Sequence, residues 1–211
     1  TPLNAIINFS EMILDDYELI CSDKETNETS KDFIERISKN SKHLLALIND
    51  LLDISKAENK GIEISKIQLS SVIQNAVSFV TPAANKKGLS INVLCDMNTI
   101  NVYANERALL QVCLNLLSNS IKFTNEGFIS IKCIDNERHI VVNIEDSGIG
   151  IPEEKIDKIF EPFEQARPSD EGTGLGLKLV KEMCEAMDIK LSVSSKENNG
   201  TIFQLLIRKA E

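Results

Sequence analysis

A chain of 211 residues with a formal net charge of −9 has room for one sizeable core or two small ones, and that charge excludes a general affinity for nucleic acid or anionic membrane. Its 42% apolar and 26% charged residues, with no Trp, are ordinary for a soluble globular protein. Any anionic ligand must therefore be held locally, by a metal, a helix end and a few cations.

The five cysteines (Cys21, Cys95, Cys113, Cys133 and Cys184) are scattered, odd in number and form no C-x-x-C pair. That spacing argues against zinc and against a disulfide framework, and for a reducing, cytoplasmic compartment. No apolar run approaches the roughly 18–20 residues that span a bilayer, so no direct membrane contact is expected of this fragment. There is no signal-peptide pattern. The chain starts at Thr1 without Met and reads as an internal fragment, which leaves room for a membrane anchor or sensor elsewhere in the parent protein.

Residues 1–20 read as a helix, from the spacing of Leu3, Ile6, Ile7, Ile13 and Leu14; Pro2 is tolerated only near a helix start or at a kink. The polar run Ser22–Glu28 is a loop. A second, longer helix spans about Ser30 to Asn59, with Ile34, Ile37, Leu44, Leu45, Ile48, Leu51 and Leu52 in a wide stripe. A hairpin of residues 1–60 cannot bury that stripe alone. Pairing with a second copy as a four-helix bundle is expected, the alternative being packing against its own chain.

From Gly61 the pattern changes, and 61–211 is expected to form a second domain. Ile62, Ile64 and Ile67 suggest a strand or extended link. Ser70 to Lys87 is an amphipathic helix stopped by Gly88. Ser90–Cys95 and Asn101–Ala104 read as strands, and Asn105 N-caps a helix running to about Lys122. Phe128–Asp135 and His139–Asp146 are strands across a turn at Asn136-Glu137. Gly174–Met187 is a helix, and Ile189–Ser195 with Thr201–Arg208 a last hairpin. The fold class is α+β, a helical hairpin followed by an α/β sandwich.

Three stretches carry chemistry. Asn115 and Asn119 share a helix face four residues apart, with Lys122 three further on. Two amides and an ammonium among Leu114, Leu117 and Ile121 are costly unless used. An amide oxygen suits Mg²⁺, which takes its other ligands from water and phosphate; a solvated helix face is an equal alternative. Asp146 ends the apolar strand Ile140-Val141-Val142-Asn143-Ile144 ahead of Gly148 and Gly150. It is placed either to accept from an exocyclic amine or simply to cap its own turn. Gly172-Thr173-Gly174-Leu175-Gly176-Leu177 is glycine-rich at a presumed helix start, as a phosphate cradle requires, although it is neither a Walker A loop nor a dinucleotide fingerprint. Between these, Phe160 and Phe163 read as a packing pair or as a latch for the link Ala166–Glu171.

In this order the segments resemble the ATP-binding domain of sensor histidine kinases. Asn115–Thr124 is similar to the family's N box, Asp146–Ile151 to its G1 box, Phe160–Gln165 to its F box and Gly172–Leu177 to its G2 box. Thr1-Pro2-Leu3-Asn4-Ala5-Ile6 resembles the end of the H box, and Leu44–Glu58 the second dimerisation helix. The wording Phe-Glu-Pro-Phe-Glu-Gln and Asn-Ser-Ile-Lys-Phe-Thr is most similar to hybrid-type kinases.

The resemblance implies a Bergerat-type site for ATP and Mg²⁺. Asn119 would coordinate the metal, with Asn115 close to the metal and phosphates. Lys122 would contact phosphate and Asp146 the adenine amine. Gly148 and Gly150 would shape the floor, and Thr201 would support Asp146. Residues 164–172 would form a lid behind Phe160, hinged by Gly172, Gly174 and Gly176 with Leu175. The family's phosphoacceptor histidine lies four residues before the position of Thr1. This fragment therefore lacks it, and neither His43 nor His139 matches it. Thr1 would assist dephosphorylation of the response regulator. The function implied is a two-component kinase core, homodimeric through residues 1–60, which passes the γ-phosphoryl of ATP to histidine and then to an aspartate on a receiver domain. A non-catalytic dimeric ATP-binding scaffold is the alternative, and a topoisomerase- or chaperone-like ATPase a third reading.

Overall fold

A computed structural model describes residues 63–95, 100–164 and 174–210, together with the isolated positions Ile37 and Ser41. The expected helical hairpin, Thr1 and Gly172 lie outside the described residues. The chain divides into two compact units, and every element below belongs to the larger, Asp53–Ser169 with Gly174–Glu211.

Strand β1 (Ser65–Gln68) leads directly into helix α1 (Leu69–Lys86), followed by β2 (Ser90–Leu94) and β3 (Asn101–Ala104). Helix α2 (Glu106–Phe123) precedes the hairpin β4 (Phe128–Asn136) and β5 (His139–Asp146). A short helix α3 (Glu153–Ile156), helix α4 (Gly176–Ala186) and the hairpin β6 (Lys190–Ser195) and β7 (Thr201–Arg208) complete it. Five strands form one sheet in the order β2-β4-β5-β7-β6, while β1 and β3 form a separate antiparallel pair. Within the large sheet only β2 and β4 run parallel; the other pairs are antiparallel.

One face of the sheet is buried under the helices. Ile140, Val142 and Ile144 of β5 and Phe203, Leu205 and Ile207 of β7 are all at most 4% exposed, while the residues between them are partly exposed. That is the period-2 alternation of a sheet with one dry face. Helix α2 answers with Leu109, Val112, Cys113, Leu116, Leu117 and Ile121, and α4 with Leu179, Val180, Met183 and Cys184, the spacing of a single apolar stripe.

Local signals agree with the elements. Asn105 caps α2, its side chain accepting from Ala108 N at 3.0 Å, which satisfies one of the orphan donors of the first turn. At the other end Lys87, in the turn after α1, donates from Nζ to Ile121 O at 2.7 Å and Lys122 O at 2.9 Å. It neutralises the carbonyl end of the helix dipole.

The elements differ from expectation in four places. The β4–β5 turn is Glu137–Arg138, because Asn136 pairs with His139 in register. Helix α4 begins at Gly176 rather than Gly174, whose φ is +71°, outside the helical region. Helix α3 has no apolar stripe to announce it, and none of its residues is buried. The fourth is a disulfide between Cys95 and Cys133. Register explains it: Leu94 stands opposite Lys132 in the parallel pair, so the next residues on both strands are neighbours, 4.7 Å apart at Cα. Spacing along the chain carries no trace of this. The inference of a reducing compartment from unpaired cysteines loses its premise here. Cys113 and Cys184 are free and buried, and burial pushes both thiols up to about 12, which leaves them unreactive.

Candidate functional site

Three core stripes end in polar residues at one place. Along β5 the inward positions run Ile140, Val142, Ile144 and then Asp146. Along β7 they run Ile207, Leu205, Phe203 and then Thr201. Asp146 and Thr201 are register partners, so their side chains leave the same face of adjacent strands. On α2 the buried stripe continues through Leu116 and Leu117 to Ser120, and Thr124 follows as the C-cap. All four are nearly sealed: Asp146 and Thr201 are 6% exposed, Ser120 1% and Thr124 0%. Buried polar groups of this kind are expensive unless partnered.

Asp146 is partnered, incompletely. Ser120 Oγ donates to Oδ2 at 3.1 Å, and Gly148 N donates to Oδ1 at 3.0 Å. Burial raises the Asp146 pKa above the ordinary carboxylate range. The bonds from Gly148, Ser120 and the Thr201 backbone oppose the rise, and the neighbouring Glu145 adds to it. A carboxylate can accept about four hydrogen bonds, so capacity remains for a donor from outside. Of the two sequence readings of Asp146, the cap of its own turn is the one seen, in the bond from Gly148 N.

The loop after Asp146 is held from both sides. Ile149 N donates to Phe123 O at 3.1 Å, at the end of α2, and Asn198 N donates to Ile149 O at 2.7 Å, from the β6–β7 turn. Gly148 is required by space. A methyl group there would stand 2.5 Å from Phe123 O and 2.9 Å from both Asp146 Oδ1 and Thr124 Oγ1. Gly150 is required by backbone, with φ +65°, and any side chain would overlap Lys196 O.

Asn115 and Asn119 are half-buried rather than solvated. Asn115 Nδ2 is buried with no hydrogen-bond partner, and its Oδ1 would lie 3.2 Å from a methyl group on Gly176. An orphaned amide beside the glycine start of α4 suits an oxygen-rich anion and its cation, since the amide offers both a donor and a hard oxygen. Helix α4 starts without a side-chain cap, so its first N–H groups are not answered by one. Among the described residues no group of three His, Cys, Asp or Glu could hold a metal alone. The amide oxygen of Asn119 is a hard donor that could hold Mg²⁺ together with water and phosphate. Lys122 is half-buried, its ammonium 4.5 Å from the Phe123 ring centre.

Phe160 and Phe163 do not form a packing pair. Phe160 packs on the core, whereas Phe163 is 66% exposed with φ +64°, an unusual conformation for a bulky residue. The reason is a backbone contact across the chain. Phe163 N donates to Gly174 O at 3.0 Å, and the backbone that makes this bond turns the ring outward. Leu175, 2% exposed, anchors the start of α4.

The structure brings Asp146, Gly148 and Thr201 together, and separately Asn115 with Gly176 and Phe163 with Gly174. Residues overlooked in the sequence are Ser120, Thr124, Ser195 and Lys87. Ser120 had a readable signal, because it falls on the buried face of α2. Ser195, whose hydroxyl accepts from Ile151 N at 2.8 Å, and Lys87 act between elements, which one-dimensional spacing does not encode.

Comparison with known proteins shows the family. Residues 104–211 match the model of the histidine kinase-, DNA gyrase B- and HSP90-like ATPase family, and residues 1–60 match the His Kinase A (phospho-acceptor) domain. The chain is 33% identical to the cell-division control histidine kinase PdhS of Brucella anthropi over 97% of its length, but spans only 21% of that relative. A PdhS from Brucella ovis is equally similar, at 33% identity over 98% of the chain and 21% of the relative. Among solved structures, the catalytic domain of histidine kinase ThkA is 30% identical with a TM-score of 0.63, over 70% of this chain and 96% of that one. ThkA in complex with response regulator protein TrrA is 25% identical with a TM-score of 0.72, over 99% and 59% respectively. Full-length ShkA in complex with AMPPNP, 23% identical with a TM-score of 0.76 over 100% and 44%, shares the fold. With both family models matched in this order, the chain belongs to the histidine kinases of the histidine kinase-, DNA gyrase B- and HSP90-like ATPase family.

Proposed function

We propose that residues 61–211 bind ATP with Mg²⁺ and serve as the catalytic domain of a two-component kinase, with residues 1–60 as its dimerisation and phosphotransfer hairpin. The observation that carries this is the sealed cluster at the end of three apolar stripes. Asp146, Ser120 and Thr201 form a buried polar cluster where apolar stripes of the core end. Asp146 would accept from the exocyclic amine of adenine, on the floor shaped by Gly148 and Gly150 and backed by Phe160. Asn119 would hold Mg²⁺, with Asn115 close to the metal and phosphates and Lys122 against the phosphates as a point charge. Gly172, Gly174, Leu175 and Gly176 would carry the segment that closes over them.

The chemistry is in-line transfer of the γ-phosphoryl to a histidine nitrogen. Bound Mg²⁺ supplies charge neutralisation on the phosphates; the protein supplies orientation and exclusion of water. The acceptor histidine is expected four residues before Thr1 in the parent protein, and Thr1 is assigned to the reverse, dephosphorylating reaction. The phosphoryl group would then pass to an aspartate on a response-regulator receiver domain. ThkA is seen in complex with response regulator protein TrrA, which supports a response regulator as partner; in this proposal it would dock on the hairpin of a homodimer. The need for ATP sets these residues in the cytoplasm. No described helix is long and apolar enough to cross a membrane.

The test is phosphorylation of the parent protein with γ-labelled ATP and Mg²⁺. An acid-labile, base-stable label on the histidine upstream of Thr1, lost in Asn119→Ala, is expected. An acid-stable label, or none on a chain that binds ATP, would contradict it.

A further inference from the structure

Ser195 stands at the end of β6, opposite Thr201 in register, and its hydroxyl has three partners. It accepts from Ile151 N at 2.8 Å, donates to Gly200 O at 2.8 Å and lies 2.9 Å from Thr201 Oγ1. A hydroxyl has one proton and two lone pairs. The proton goes to Gly200 O, whose other partner, Lys196 N, is distant at 3.4 Å. One lone pair takes the Ile151 N–H. Towards Thr201, Ser195 is then left only with a lone pair, so the Thr201 hydroxyl must donate to it. That commitment has a consequence on the far side of Thr201 Oγ1: with its proton spent, the oxygen offers lone pairs only. Its register partner Asp146 is a buried carboxylate, also an acceptor.

We propose that Ser195 is a specificity-determining positioning residue for the base pocket: by taking the Thr201 proton it leaves acceptors alone facing the ligand, so that a 6-amino purine is admitted and a 6-oxo purine rejected. The inference rests on the nucleotide reading above and deepens it. An exocyclic amine brings two protons to two acceptors. An exocyclic carbonyl oxygen at the same place meets lone pairs on both sides, and the site cannot adapt while the Thr201 hydroxyl donates to Ser195. Without Ser195 the Thr201 hydroxyl is free to rotate and donate to that oxygen.

The experiment is calorimetric titration of the full 211-residue chain with ADP and with IDP, both with Mg²⁺, for the parent, Ser195→Ala, Ser195→Thr and Thr201→Val. The parent should prefer ADP. In Ser195→Ala the ADP-to-IDP affinity ratio should fall about tenfold, the size of one hydrogen-bond direction in a buried site, with IDP binding unchanged or tighter. Ser195→Thr, which keeps the hydroxyl, should retain the preference. Thr201→Val, which keeps the Asp146 acceptor, should lower it to a similar extent, and adding Ser195→Ala to that variant should change the ratio no further. If Ser195→Ala weakens ADP and IDP in parallel, or changes neither, the residue holds the loop or nothing, and the proposal fails. Should Ser195→Ala not fold, a Thr201→Val chain with an undiminished ratio overturns it equally. A folded parent chain that binds neither nucleotide overturns the nucleotide reading itself.

Discussion

Asp146 carries two opposed demands. Ionised, it accepts from Ser120 and Gly148; buried, it is pressed towards protonation. Its folded pKa is raised, so between the ordinary carboxylate value and the raised one the folded chain binds more protons than the unfolded chain. Lowering the pH through the raised value therefore relieves a cost of folding at this residue while removing the acceptor. The preference for ADP over IDP, a ratio in which phosphate titration cancels, should decline on acidification before about pH 4, where an ordinary Asp titrates. A flat ratio down to that value would contradict the assignment. Ser120, donating at 3.1 Å, helps to keep the carboxylate ionised, and Ser120→Ala should move the decline to higher pH, with no change of pH counting against that role. The support of Asp146 by Thr201 was legible only through the family resemblance, and the part of Ser120 was not legible in the sequence. The residues were visible, but their meeting depends on the strand register Asp146–Thr201 and on which face of α2 is inward.

The elements converge on the loop after Asp146, and the predictions there are structural. A methyl group on Gly148 meets three fixed oxygens, so Gly148→Ala should cost about 1–3 kcal/mol of stability and abolish nucleotide binding. Thermal unfolding and titration check both; a variant as stable and as tightly binding as the parent would refute the steric account. At the far end of α2, Lys87 answers the last carbonyls, and Lys87→Met should lose about 1 kcal/mol, read as a lower Tm. Between β2 and β4, the Cys95–Cys133 bond should make Cys95→Ser less stable by about 3–4 kcal/mol without reductant and indistinguishable from the parent with it. Equal Tm values under both conditions would show that the cysteines stay apart. Helix and strand positions were largely legible in the sequence, because apolar period and end signals such as Asn105 and Gly88 are local. The disulfide was not, since it is set by the pairing of Leu94 with Lys132 rather than by spacing. The exposed Phe163 was not either, since its backbone is turned by a bond to Gly174 across the chain.

At the scale of the whole molecule, a net charge of −9 and a site for a polyanion are reconciled by confinement. The acidic surface repels phosphate in general, and under the proposed reading the start of α4, which has no side-chain cap, the orphaned Asn115 amide and Lys122 would hold it locally. Binding should accordingly depend on the metal, which offsets charge that the protein does not. The family was legible in the sequence from four short segments in order, although each is weak alone. The measurement that tests the account most directly is titration calorimetry of the 211-residue chain with a non-hydrolysable ATP analogue, with and without Mg²⁺, beside Asp146→Asn. Asp146→Asn keeps the shape of the side chain and should leave the fold intact, within about 3 °C in Tm. The account predicts metal-dependent binding by the parent and at least about a hundredfold loss in the variant. Folded parent chain that does not bind, or a variant that binds as well as the parent, would contradict it.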